Sequence, residues 1–388
     1  MKVAILINTL RVWKEAAIVK VVTPSRSNRD GGCARMKNHY LIQISRIRRI
    51  FYVVIALVAI SFFSCSERSP SDKNSHNDSK KNQPADTVKA NEDSTLLKQY
   101  APTGLRTNFS KHSIPLDAIH DGGVGKNDIP AIDFPEFITA AQAHNFLTEP
   151  DYGILLDVNG EQKFYPLNIL NWHEVVNDVI DNKPVAVTFC PLCGSAIVYN
   201  RVMDGDTLLF GVSGKLYESN LLMFDEKTES LWSQAIGECV AGDLLGKKLP
   251  LVNSVLISFE EVENYYPNAK VLSTKTGFDR NYSEYPYADY NSNDDLYFPV
   301  SKMNHRYQNK DIMYVVQFGN TSIAFHWKDL LKAGSAEQNT PDGIVSVQVK
   351  NFVPSAIKKE SGEKLNGYFI YWFSWYAMRG TKGIVWGK

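Results

Sequence analysis

Residues 153–201 read GILLDVNGEQKFYPLNILNWHEVVNDVIDNKPVAVTFCPLCGSAIVYNR, and this stretch decides the fold class. Gly153–Val158 and Gln162–Tyr165 flank Asn159-Gly160. Asn-Gly supplies the two left-handed positions of a tight hairpin turn, so two antiparallel strands are predicted here. Pro166 opens a predicted helix over 166–180, PLNILNWHEVVNDVI, with proline in its first turn. Asp181-Asn182-Lys183-Pro184 ends that helix, and Val185–Phe189 and Ala196–Arg201 follow as strands. Between them stands Cys190-Pro191-Leu192-Cys193-Gly194. Strands, one short helix and further strands predict a β-rich α+β fold.

Working outward, ILLDVNGEQKFYPLNIL (154–170) aligns without gaps on YVVQFGNTSIAFHWKDL (314–330). Tyr165 falls on Phe325 and Leu170 on Leu330, and both stretches read strand, turn, strand, short helix. The match admits two readings: chance, or a tandem duplication giving two pseudo-repeated halves packed into one domain. In the second reading only the first copy carries cysteines. The aromatic run YFIYWFSWYAM (368–378) is too short to span a bilayer and is expected as core strands.

The first 96 residues have a different texture. Ile50–Phe63, IFYVVIALVAISFF, is apolar and follows Arg46, Arg48 and Arg49. Its 14 residues fall short of the about 20 a spanning helix needs. A basic segment before a short apolar one is a signal peptide, and Ser64-Cys65 ends it as a lipoprotein signal would. Residues 36–65 are therefore expected to be a lipoprotein signal lipidated at Cys65, an uncleaved anchor helix being the alternative. Residues 1–35 read as an upstream-start artefact. Residues 66–96 are polar, with too few apolar side chains to offset their ordering entropy, and are expected as a flexible tether in which His76 has no role. A globular domain is expected over 97–388. The formal charge is zero overall, but residues 1–65 carry +9 and the remainder −9. A mildly acidic exported part argues against nucleic acid as a partner. The expected contact is with the bacterial membrane, through the N-terminal lipid, on an extracytoplasmic face. The sequence points to no protein partner.

Chemistry concentrates at Cys190 and Cys193. A CPxCG turn between strands has the geometry of a metal knuckle, which aims two thiolates and several backbone N–H groups at one ion. No helix start follows Cys193, as a thioredoxin-type pair would need. A second cysteine pair is missing, so other ligands would have to complete a tetrahedral site, and His173, on the preceding helix, is the candidate; a histidine simply hydrogen-bonded in the core is the alternative. Glu174 reads as a carboxylate supporting His173 or as a general base. Two thiolates and an imidazole suit copper or zinc. A redox or structural disulfide, or inert thiols, are the other readings. Cys239, in a partly apolar stretch, reads as core packing with a third-ligand role as the alternative.

A second polar block runs FGVSGKLYESNLLM (210–223). Gly-Val-Ser-Gly lacks the G-x-S-x-G spacing of a nucleophile elbow, so Ser213 is expected in a tight turn facing a cleft. Asp225, Ser230, Trp232 and Gln234 are candidates for lining the same cleft, and Arg280, in TGFDRNY (276–282), for holding a carboxylate. No phosphate loop, dinucleotide fingerprint or HExxH motif occurs.

KNDIPAID (126–133), WHEVVND (172–178), VTFCPLCGSAIVYNR (187–201), FGVSGKLYESNLLMFD (210–225), SLWSQAIGECVAGDLLG (230–246) and TGFDRNY, in that order, together resemble the DUF3179 family over roughly residues 100–380. The resemblance implies an exported bacterial protein and no particular activity. It implies that the family's defining residues here are His173, Glu174, Asn177, Asp178, Cys190, Cys193, Gly211, Ser213, Gly214, Ser219, Asp225, Trp232, Gln234 and Arg280. Cys239, where a small residue is expected, and TKGIVW near the end depart from the pattern. Three functions follow as expectations: binding of copper or zinc at Cys190, Cys193 and His173; thiol–disulfide exchange at the cysteine pair; or a non-catalytic module in which the pair is structural. In the last two cases no cofactor is expected.

Overall fold

The computed structural model describes residues 104–387. The signal-like segment with Cys65, the tether with His76, and residues 1–35 lie outside the described residues. Among the described residues no helix is long and apolar enough to cross a membrane.

The strand Lys183–Cys190 explains the layering. Its side chains alternate between faces, as a period of two requires. Val185, Val187 and Phe189 enter one hydrophobic core, Ala186 and Cys190 a second. A strand buried on both faces belongs to a middle layer. The sheet containing it runs, in spatial order, Ile384–Val385, Thr321–His326, Ile312–Phe318, Gly367–Tyr371, Ser195–Asn200, Lys183–Cys190 and Val175–Ile180, with Leu251–Val252 also paired to Ser195–Asn200. Against one face pack Ile154, Leu156 and Phe164 from the sheet built on Tyr152–Val158 and Glu161–Pro166, together with Val345 and Val347 from the sheet built on Gly343–Lys350. Against the other pack Val212, Met223 and Trp232, from the sheet formed by Ile119–Asp121, Phe210–Tyr217, Asn220–Asp225, Leu231–Ser233 and Glu238–Ala241, and the helix Trp372–Arg379. Each large apolar side chain buried this way is worth about 1.5–3 kcal/mol. The fold is β-rich α+β, with few and short helices.

The predicted hairpin forms as Tyr152–Val158 and Glu161–Pro166 around Asn159-Gly160, both with positive φ. The predicted helix over 166–180 is corrected: it spans only Leu167–His173. Glu174 adopts a left-handed conformation at φ 57°, and Val175–Ile180 continues as a strand paired with Lys183–Cys190. The β-branched Val175 and Val176 favour the pleated surface, and Asp181-Asn182 forms the hairpin turn rather than a helix stop. The run 368–378 is also corrected. Gly367–Tyr371 is a core strand, but Trp372–Arg379 is a helix that buries Trp372, Phe373 and Trp375.

The stretches aligned in the sequence carry one succession of elements. Strand, strand, helix, strand, strand spans Tyr152–Cys190 and again Ile312–Lys350, with matching lengths. The second hairpin, Ile312–Phe318 with Thr321–His326, lies in the same sheet as the strands Val175–Ile180, Lys183–Cys190 and Ser195–Asn200. Where Glu174 ends the first helix, Gly334 ends the second, at φ 72°.

Candidate thiol site and its cleft

Cys190 ends one strand and the next begins at Ser195, so the CPLC turn closes a hairpin. The Cys193 N–H donates to the Cys190 carbonyl at 3.0 Å, which tightens the turn. Gly194 sits at φ 53°, and a Cβ there would collide with the Tyr371 ring. Glycine is needed on both counts. Tyr371 in turn donates its N–H to the Cys193 carbonyl at 2.9 Å, so the end of the strand Gly367–Tyr371 holds the turn in place.

Both cysteines are buried and carry free thiols. The Cys193 thiol donates to the Ser219 carbonyl at 3.1 Å. Burial, and then the neighbouring Cys193 thiol, push the Cys190 thiol well above its usual range, while the Leu221 backbone N–H favours its charged form. A thiol so placed is a poor nucleophile without help, because the thiolate is the reactive form. Ser219, fully buried at φ 61°, has a hydroxyl with no hydrogen-bond partner.

Glu174 belongs to this group. Its carbonyl accepts from the Phe189 N–H at 2.8 Å, next to Cys190 in sequence, and its Oε1 accepts from the Tyr287 hydroxyl at 2.7 Å. Burial raises its carboxyl to about 7, the Tyr287 hydrogen bond opposing this in part. A non-glycine residue in the left-handed region costs on the order of 1–3 kcal/mol. Glycine carries the same conformation at 334, where the second helix ends.

The structure does not assemble the expected Cys190–Cys193–His173 set. Both His173 ring nitrogens are engaged: Nδ1 with the Pro130 carbonyl at 2.7 Å and Nε2 with the Tyr282 hydroxyl at 2.7 Å. Burial lowers its pKa, and the charge of Arg280 adds to that. Among the described residues no group of three or more His, Cys, Asp or Glu side chains is disposed to hold an ion. As a donor set the turn therefore presents two thiols, which fit a soft ion of low coordination number. Tetrahedral zinc asks for four ligands.

The other expected site residues hold the scaffold. Asn177 donates to the Asp133 carboxylate at 2.7 Å and the Phe210 carbonyl at 2.8 Å, and accepts from the Phe210 N–H at 3.0 Å. It thereby joins the middle sheet to the sheet above it. Asp178 accepts from Lys163 at 2.9 Å and Tyr165 at 2.7 Å, all three side chains being buried. Ser213 stands in a β-bulge of the strand Phe210–Tyr217, not in a tight turn facing a cleft, and its hydroxyl donates to the Leu222 carbonyl. Asp225 accepts from Trp232 Nε1 at 3.0 Å and from the Thr228 N–H at 2.7 Å, clamping its own turn. Gln234 accepts from Ser195 at 2.6 Å and donates to Thr188 at 2.9 Å, just behind the thiol hairpin. Arg280 holds no carboxylate among the described residues: its guanidinium donates to the Asp279 carbonyl at 3.3 Å. Cys239 is buried core, its thiol pushed up to about 12 by burial.

The cleft that does open beside the thiols has other walls. A cavity of about 340 Å³ is lined by Phe189 and Pro191, which flank Cys190, and by Tyr282, Tyr285, Tyr371 and Asn171, among others. Burial raises the Tyr285, Tyr287 and Tyr290 hydroxyls above their usual range, and the Tyr290 hydroxyl donates to the Leu192 carbonyl at 2.7 Å. The sequence analysis does not single out these tyrosines: Tyr282 and Tyr285 in the wall, Tyr287 and Tyr290 beside the thiol turn. The signal that could find them is the recurrence of tyrosine at 282, 285, 287 and 290 in a segment with little regular structure.

With the geometry in hand, the chain's relationships are clear at the level of family. Residues 126–366 match the family described as Protein of unknown function (DUF3179), and the chain belongs to it. No curated protein and no solved structure matches the chain.

Proposed function

We propose that this chain is an extracytoplasmic lipoprotein, held to the bacterial membrane by lipid on Cys65, that binds a transition metal through Cys190 and Cys193, and that the ion is copper(I). The observation that carries the reading is the pair of free, buried thiols on one hairpin turn, with the Leu221 N–H beside Cys190 and the Ser219 carbonyl beside Cys193. Soft thiolates select Cu(I), and a bound cation deprotonates a coordinating thiol outright, which overcomes the raised thiol pKa. His173 has no place among the ligands in this reading; it holds Tyr282, which lines the cleft. Slow thiol exchange is the corollary, because burial keeps the thiolate fraction small.

The test is elemental mass spectrometry and thiol titration on one sample of the full chain, exported and purified without chelator. About one copper per chain is expected. Cys190→Ser loses it and Cys239→Ala keeps it. Zinc in place of copper overturns the low-coordinate assignment. A metal-free chain with Cys190 and Cys193 joined in a disulfide overturns the metal site altogether and favours redox or structural use of the pair.

A further inference from the structure

The cleft beside the thiol turn has features that metal binding does not use. Five of its polar groups have no hydrogen-bond partner within the chain among the described residues: the amides of Asn168, Asn171 and Asn291 and the hydroxyls of Tyr285 and Tyr371. Asn168 and Asn171 stand three apart on the helix Leu167–His173, so both project from one face. The lining includes no lysine or arginine, and its ionisable carboxylates are Asp151 and Glu284. One Asp151 oxygen is already committed to the Thr148 N–H and hydroxyl. Such walls repel anions and offer no ion-pair partner to one. At about 340 Å³ the cavity falls within the about 300–1,000 Å³ typical of small-molecule sites. Apolar surface comes from Phe189, Pro191 and Leu167, and aromatic surface from the tyrosines.

We infer that this cavity binds an uncharged ligand rich in hydroxyl and amide groups, of monosaccharide or disaccharide size. Amides and phenols each donate and accept, so together they match groups that do the same, and the tyrosine and proline surfaces cover the C–H faces of a sugar ring. The inference stands independently of the metal reading, because none of the five groups belongs to a thiol.

The probe is N-acetylglucosamine and its β-1,4-linked dimer. Binding is followed by saturation-transfer NMR and calorimetry on the full chain, held in a detergent without a sugar headgroup. Saturable binding is expected, with N-acetylglucosamine 6-phosphate binding more weakly. An Asn168→Ala/Asn171→Ala variant should weaken binding about tenfold, the loss of two neutral hydrogen bonds, with thermal unfolding confirming that it is folded. The Asn168→Ala/Asn171→Ala variant should keep the same metal content as the native chain, which separates this result from the fate of the metal site. No saturable binding of either sugar, equal or tighter binding of the phosphate, or unchanged binding by the folded double variant would each overturn the inference.

Discussion

Replacing Glu174 by glutamine should abolish one component of the protein's pH-dependent stability. Folding buries the Glu174 carboxyl and raises it from 4.5 to about 7. At about 1.4 kcal/mol for each pH unit, that difference is worth about 3 kcal/mol. The sign follows from proton binding. Between 4.5 and 7 the folded chain holds a proton on Glu174 that the unfolded chain has released, so stability falls as pH rises. The contribution is complete below 4.5 and lost once pH has passed about 7. The substituted glutamine keeps an oxygen to accept the Tyr287 hydroxyl and cannot ionise. Urea denaturation of the chelator-treated chain, native and Glu174→Gln, should be run at about pH 3.5, 6 and 8, values that bracket the folded and unfolded titrations. The gap between the two should move by about 3 kcal/mol in favour of the variant from the lowest pH to the highest. Every other titrating group is common to both and cancels. Parallel curves would show that the carboxyl is not held in a desolvated site, and the placement of Glu174 beside the thiol turn would fall with it.

Gly194→Ala should cost about 1–2 kcal/mol for the left-handed backbone and about 1–3 kcal/mol more for the clash with Tyr371, read as a lower denaturation midpoint; a loss under about 1 kcal/mol would mean that the ring is not packed on the turn. Asp178→Ala should lose about 3–5 kcal/mol by leaving the buried Lys163 ammonium without its carboxylate, and the paired change Lys163→Met/Asp178→Leu should recover part of it, since both charges go while the Tyr165 hydroxyl still lacks its acceptor. Both are read by urea denaturation, and a double variant no more stable than Asp178→Ala would refute the pairing.

Much of this was legible because it is local. Asn159-Gly160 sets its hairpin from two residues, and Cys190 to Gly194 declare a turn between strands. The extended helix reading failed at a single residue. Val175, Val176 and Ile180 suit a helix face and a strand equally, and what stops the helix is a glutamate in the left-handed region, which propensity would give to glycine. The aligned position 334 has that glycine. The run from Tyr368 hid a strand-to-helix switch because aromatic residues pack well in both. His173 was a fair ligand candidate from spacing alone. Its two actual partners, the Pro130 carbonyl and Tyr282, come from segments far off in sequence. The tyrosine wall was missed for the same reason: only the tertiary fold carries that loop to the thiols. Asp225, Trp232 and Gln234 read from the sequence as lining a cleft, whereas buried polar groups in strands more often find partners in the core, as Asp225 does with Trp232 and Gln234 with Ser195 and Thr188.

The bond from Tyr371 to the Cys193 carbonyl sets an order of events in the life of each molecule. The thiol hairpin can close on its own soon after synthesis, since its strands adjoin. The wall that shelters it comes from near the other end of the chain, and long-range pairing of this kind forms late. Until that strand docks, two sulfurs stand open to oxidants, metal ions and one another. A chain cut at Asn366 would keep both cysteines and lose the Tyr371 bond that holds their turn. What reaches those sulfurs first is therefore decided by a race between the arrival of that strand and the chemistry of the compartment in which it arrives.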